Sequence, residues 1–137
     1  MADLSRTAAN VKPMSAGPVS MGKSGEALAH ADPAYFDTSG KLKKCQSDGT
    51  AAEANCRAMI LTPATAADQD VVYMLAGGDI DVGATLTVGE TYIVSRTAGA
   101  IAPIGDLLSS DFSTILGTAT ATNKLAFRPI VSGVEKP

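Results

Sequence analysis

The sequence predicts an all-β fold, a small β-barrel or β-sandwich built from two tandem β repeats, with an extended N-terminal arm. Three observations lead there. From Gly25 onward, short apolar bursts of Val, Ile, Leu, Tyr and Thr are each closed by Gly, Asp, Asn or Ser, which is how consecutive strands and turns are written. No stretch sustains the 3.6-residue period of an amphipathic helix. The pattern of the first half also recurs in the second.

Composition narrows the class. A chain of 137 residues is enough for one core and too short for two ordinary domains. Aromatic residues make up only 4% and Trp is absent, so the core must be thin and built from small side chains. The net charge of -3 provides no field to hold a polyanion, which argues against nucleic acid as a partner. No apolar run reaches the ~18 residues of a membrane span and no apolar segment follows the N-terminus, so neither membrane nor export is expected. The chain reads as made in the cytoplasm. Cys45 and Cys56 stand eleven residues apart with no Cys-x-x-Cys and no adjacent His. Metal binding is therefore not expected, while a local disulfide stays open beside free thiols.

The elements follow in order. Residues 1–24 carry Pro13, Gly17, Pro18 and Gly22 among small polar residues, which reads as an arm rather than a packed element. The β domain follows at 25–137, with repeat one at about 25–80 and repeat two at about 83–137. Gly25-Glu26-Ala27-Leu28 answers to Gly83-Ala84-Thr85-Leu86 at an offset of 58, and Tyr35 to Tyr92 at 57. The turn glycine Gly40 answers to Gly99 at 59. The run Met59–Asp68 matches Thr114–Asn123 at a constant 55, and the same offset sets Val71–Ala76 on Ala126–Val131. A unit of this size cannot cover its own apolar face. The two are therefore expected to pack about an approximate two-fold axis, with Leu28, Tyr35, Ile60, Leu75, Leu86, Tyr92, Ile115 and Phe127 in one shared core. Gly105–Asp111 has the makings of one helical turn capped by Asp106.

No motif assembles a catalytic constellation, so neither an enzyme nor a cofactor is predicted. Gly17-Pro18-Val19-Ser20-Met21-Gly22-Lys23-Ser24 fits the phosphate-binding G-x-x-x-x-G-K-[ST] pattern, but no buried strand delivers the loop and no helix follows to aim N–H groups at phosphate. The stretch is read as arm. His30, the sole histidine, lacks a nucleophile and an orienting partner, so it is read as a turn residue. Asp68, Asp70, Asp79, Asp81 and Glu90 fall in predicted turns. Gly77–Asp81 lacks the ordered oxygen ladder of a calcium loop. Lys41, Lys43 and Lys44 sit on one hairpin strand, where lysine blocks unwanted pairing. An acidic partner surface is the other reading.

The run Gly83–Ser95, with Thr97–Pro103, Thr114–Gly117 and the early hairpin Asp32–Asp37 with Gly40-Lys41-Leu42, resembles the capsid decoration or cement proteins of tailed phages over residues 25–134. In place of Gly117, the first repeat has Thr62. The resemblance implies a virion protein on the capsid surface that binds the major capsid protein, stabilises the shell, and associates with itself, as a homotrimer or alternatively a dimer. A tail-fibre or baseplate-associated protein is the alternative. In this setting residues 1–24 are expected to clamp a neighbouring subunit, and their removal to leave the body folded. Val11, Lys12, Pro13, Met14, Val19 and Met21 are the candidate contacts, joined by Lys41, Lys43 and Lys44.

Overall fold

The computed structural model describes residues 3–14 and 18–137. Residues 1–2 and 15–17, including Gly17 of the phosphate-loop match, lie outside the described residues. The described residues form eleven strands: β1 (Lys12–Pro13), β2 (Val19–Lys23), β3 (Pro33–Phe36), β4 (Leu42–Lys44), β5 (Ala58–Ile60), β6 (Asp70–Met74), β7 (Asp79–Asp81), β8 (Thr91–Val94), β9 (Ile101–Pro103), β10 (Phe112–Ala121) and β11 (Lys124–Glu135). They form a five-stranded sheet in the order β2-β6-β5-β3-β4 and a six-stranded sheet in the order β1-β7-β11-β10-β8-β9. Every strand pairing is antiparallel. The architecture is a β-sandwich and not a closed barrel. Ile104–Asp106 forms a single 3-10 turn without a side-chain cap; Asp111 does the local holding instead, accepting from the Leu108 N–H at 3.1 Å.

Apart from β1, the two sheets have the same strand order, with each strand of the second lying five places later in the chain. Register confirms the match pair by pair. Pro33 faces Met59 as Thr91 faces Thr118, Met59 faces Met74 as Thr118 faces Ala126, and Phe36 faces Leu42 as Val94 faces Ile101. Gly40 and Gly99 hold φ of +78° and +79° at the two hairpin turns, a left-handed conformation that glycine adopts without steric cost. The constant offset of 55 does not survive. Met59 and Thr118 are 59 residues apart while Met74 and Ala126 are 52 apart, because a loop at 61–69 joins β5 to β6 whereas Thr122-Asn123 alone joins β10 to β11. The unit boundaries shift as well: β2 opens the first unit and β7 the second.

The two-fold axis is not what packs the units. Ala34, Leu42, Ile60 and Tyr73 of the first unit form a cluster with Leu28, on the face around which the sheet curls until Ser24 bridges Leu42. Their register equivalents Tyr92, Ile101, Ala119 and Leu125 belong to a different cluster, the main core, where they meet Cys45, Cys56, Met59 and Met74 from the opposite face of the first sheet. The units therefore stack face to back. Of the expected shared core, Leu86, Tyr92 and Phe127 lie in the main cluster with Tyr35 at its margin. Leu28, Ile60 and Leu75 pack in the first unit's own cluster, and Ile115 packs on a third with Ile93, Ala102 and Leu107. On the outer face of the second unit, Thr118 and Ala126, exposed and half-buried, stand where the first unit has the fully buried Met59 and Met74. A terminal repeat needs such a polar outer face. Met59→Thr, which puts the second unit's residue into the first, is expected to lower the unfolding free energy by about 2 kcal/mol through lost volume and a buried hydroxyl; urea denaturation reads the change.

The N-terminal segment is not a free arm. β1 adds to the edge of the second sheet, with Lys12 opposite Asp81 and Pro13 opposite Ile80. Leu4 N–H donates to the Ile101 carbonyl in β9, at the other edge of that sheet, at 2.8 Å. Residues 3–14 thus strap the open side of the second sheet. β2 is a packed strand of the first sheet, in register with β6 from Val19–Met74 to Lys23–Asp70. Removing residues 1–24 would take a strand out of the body, so the expectation of an intact body after truncation is corrected.

Candidate binding surface

The chemistry-bearing residues are mostly engaged in holding the fold. Gly22-Lys23 ends strand β2, and Ser24 donates its hydroxyl to the Ala66 carbonyl at 2.8 Å, so the described part of the phosphate-loop match is sheet. Gly77–Asp81 runs into β7, with Asp81 accepting from the Gly83 N–H at 2.9 Å. Among the described residues no group of three or more His, Cys, Asp or Glu is placed to hold a metal, and no helix is long and apolar enough to cross a membrane. His30 is half-buried in the loop before β3.

Cys45 and Cys56 are buried free thiols in the main core. Burial and the neighbouring Cys56 sulfur push the Cys45 thiol far up from its ordinary range, which keeps it uncharged and unreactive.

Lys41, just before β4, and Lys43 within it have carboxylate partners, and Lys44 is held through its backbone N–H. Lys41 pairs with Asp68, and that hydrogen bond raises the Lys41 pKa. Lys43 lies 4.0 Å from Asp37, whose carboxyl is held below its ordinary value chiefly by the Lys41 backbone N–H. The Lys44 N–H donates to Glu26 at 2.9 Å. Lys43 and Lys44 lie on edge strand β4 with Lys41 just before it, and Val19 and Met21 on the other edge strand of the same sheet, β2, whose end curls back so that Ser24 bridges Leu42. Val11 is half-buried against the main core. Met14 donates its N–H to the Asp79 carbonyl at 2.8 Å. Lys12 and Pro13 are exposed on β1.

What remains open is apolar. β7 pairs with β11 only at Leu125 and Ala126, and Gly77 and Gly78 continue the contact with Phe127. Beyond Phe127, β11 has β10 on one side and no strand on the other among the described residues. There the β10–β11 hairpin projects past the sandwich, with Ile130 62% and Val134 64% exposed. Its inner face is held to the first unit by the Thr114 hydroxyl, which donates to the Ala54 carbonyl at 2.6 Å. Between the hairpin and the end of the first sheet lies a cleft of about 920 Å³, walled by Pro18, Phe36, Leu75, Pro129 and Val131, with Arg57 at its border. Val19, 50% exposed, follows Pro18 directly. Of the predicted contacts, then, Val19 alone adjoins the cleft in sequence. The rest of the lining comes from strand ends that meet only through topology: β3, β6 and β11 are remote in sequence and no local pattern joins them.

No known protein family, curated protein or solved structure matches the chain.

Proposed function

We propose that this is a virion structural protein that binds the outside of a phage capsid and stabilises the shell, associating with itself as it does so. The observation that carries the reading is the open cleft beside the projecting β10–β11 hairpin with its exposed Ile130 and Val134. A concavity of this size, with apolar walls and Asn55 and Arg57 at its border, suits a protein segment, and exposed apolar patches mark interaction sites. The likeness of Gly83–Ser95 and Thr97–Pro103 to capsid decoration proteins supplies the partner, the major capsid protein. Contacts that are weak singly act together when repeated over a shell. The test is co-sedimentation of the purified protein with expanded shells that lack it, together with its copy number in virions. Saturable binding at a copy number comparable to that of the capsid protein is expected. A copy number fixed at that of a tail component, or no binding to shells, refutes the reading.

A further inference from the structure

We propose, as a refinement that rests on the binding role above, that the cleft takes an extended apolar segment of the partner protein that carries a carboxylate, and that Arg57 holds that carboxylate. The argument begins with charge. Arg57 is the one charged residue bordering the cleft, it is exposed, and its guanidinium has no ion-pair or hydrogen-bond partner among the described residues. Lys12, Lys124 and Arg128 are unpaired as well among the described residues, but none of them lines the cleft. Its backbone is fixed, since the Arg57 N–H donates to the Ala34 carbonyl at 2.9 Å, so the side chain springs from a rigid strand end at the cleft's border. A guanidinium binds a carboxylate through two parallel charge-assisted hydrogen bonds, a geometry no apolar ligand satisfies.

The walls define the rest of the ligand. Pro18, Phe36, Leu75, Pro129 and Val131 offer apolar surface with few donors, and about 920 Å³ exceeds what one side chain fills, so several consecutive side chains are taken. A second copy of the hairpin is disfavoured as the occupant. Pro129 has no N–H to give, and Gly133 at φ +68° bends the strand where Ser132 hydroxyl accepts from the Val134 N–H at 3.1 Å. Proline and a bend are how an exposed edge resists pairing with its own kind. Recognition is accordingly by side chains and charge, not by an extended ladder.

The test uses the full chain, labelled for NMR, titrated with two acetylated heptapeptides of Val and Pro that differ only in a central Glu or Lys. Shifts at Phe36, Leu75 and Val131, at least about tenfold tighter binding of the Glu peptide, and loss of that preference in Arg57→Ala support the assignment. Equal binding of the two peptides, no binding by either, or shifts confined to other surfaces overturns it. Arg57 is exposed, so the variant keeps its fold, which its unchanged amide spectrum verifies. Shell co-sedimentation of the native protein runs in parallel: absent shell binding sinks the role proposed above whatever the peptides do, and shell binding without peptide discrimination sinks this assignment alone.

Discussion

Arg6→Ala is expected to lower the unfolding free energy by about 4 kcal/mol, the loss incurred when one partner of a buried ion pair is removed. Arg6 lies 3.0 Å from Asp32, which is 2% exposed, and it also donates to the carbonyls of Ala31 at 2.5 Å and Gly99 at 2.9 Å. One side chain thus joins the N-terminal strap, the first unit and a turn of the second. Burial raises the Asp32 pKa above its ordinary 3.8, outweighing the Ala29 N–H and Arg6, which both lower it. The sign follows: stability contributed by a raised carboxyl is fully present below 3.8 and is lost as pH rises through the folded value. Without Arg6 the folded value climbs further, so the loss reaches higher pH. The variant should therefore be weakest at neutral pH and approach the native protein as pH falls below about 4, where Asp32 is uncharged in both. At an m-value of about 2 kcal/mol/M, the urea midpoint at pH 7 drops by about 2 M. A midpoint unchanged at pH 7, or a gap that widens on acidification, contradicts the account. Truncation of residues 1–14 removes the same pairing and is expected to be at least as damaging, the reverse of what a free arm would show.

Gly117→Ala should cost about 4 kcal/mol or prevent folding, through strain combined with overpacking. Gly117 lies at φ +157° in β10, and a Cβ there would sit 1.8 Å from the Ala126 carbonyl oxygen. That contact is with the backbone of the partner strand, at the irregularity where Gly117 pairs with Phe127, so relief requires the hairpin to separate where the main core is anchored. Gly40→Ala is the comparison: its Cβ would meet nothing within 4 Å, and only the φ of +78° is strained, so about 1 kcal/mol is expected. Thermal unfolding of the two variants reads the difference. Equal losses would show that the close approach is immaterial.

The fold class and the tandem unit were legible because period-two bursts and turn glycines are local signals. Gly40 and Gly99 mark the same hairpin turn in both units, and both hold a left-handed φ there. The offset of 55 was not a spacing that any strand pair uses, because matching letters in an Ala/Thr-rich run cannot report where a loop has lengthened. Face-to-back stacking was also invisible. In a strand such as Ala58-Met59-Ile60, all of it buried, no alternation tells which face meets the neighbour. The N-terminal segment misled for a related reason: proline, glycine and small polar residues describe an extended chain, and an extended chain lies on an edge as readily as in solvent. The cleft itself was not legible: of the residues named beforehand only Val19 adjoins it, in sequence, and Arg57 gave no sign, since its place beside Phe36 and Pro129 comes from topology.

The strap also sets an order on how the molecule is made. Its anchors, Asp81, Gly83, Gly99 and Ile101, are translated long after residues 3–14 themselves, and the Arg6 contact with Gly99 spans 93 positions. During synthesis residues 3–14 consequently find their place only once the strand edges of the second half have emerged. A ribosome-bound chain halted shortly after Met74 thus carries Arg6 and Asp32 together but lacks the strand edges that fix the strap across them.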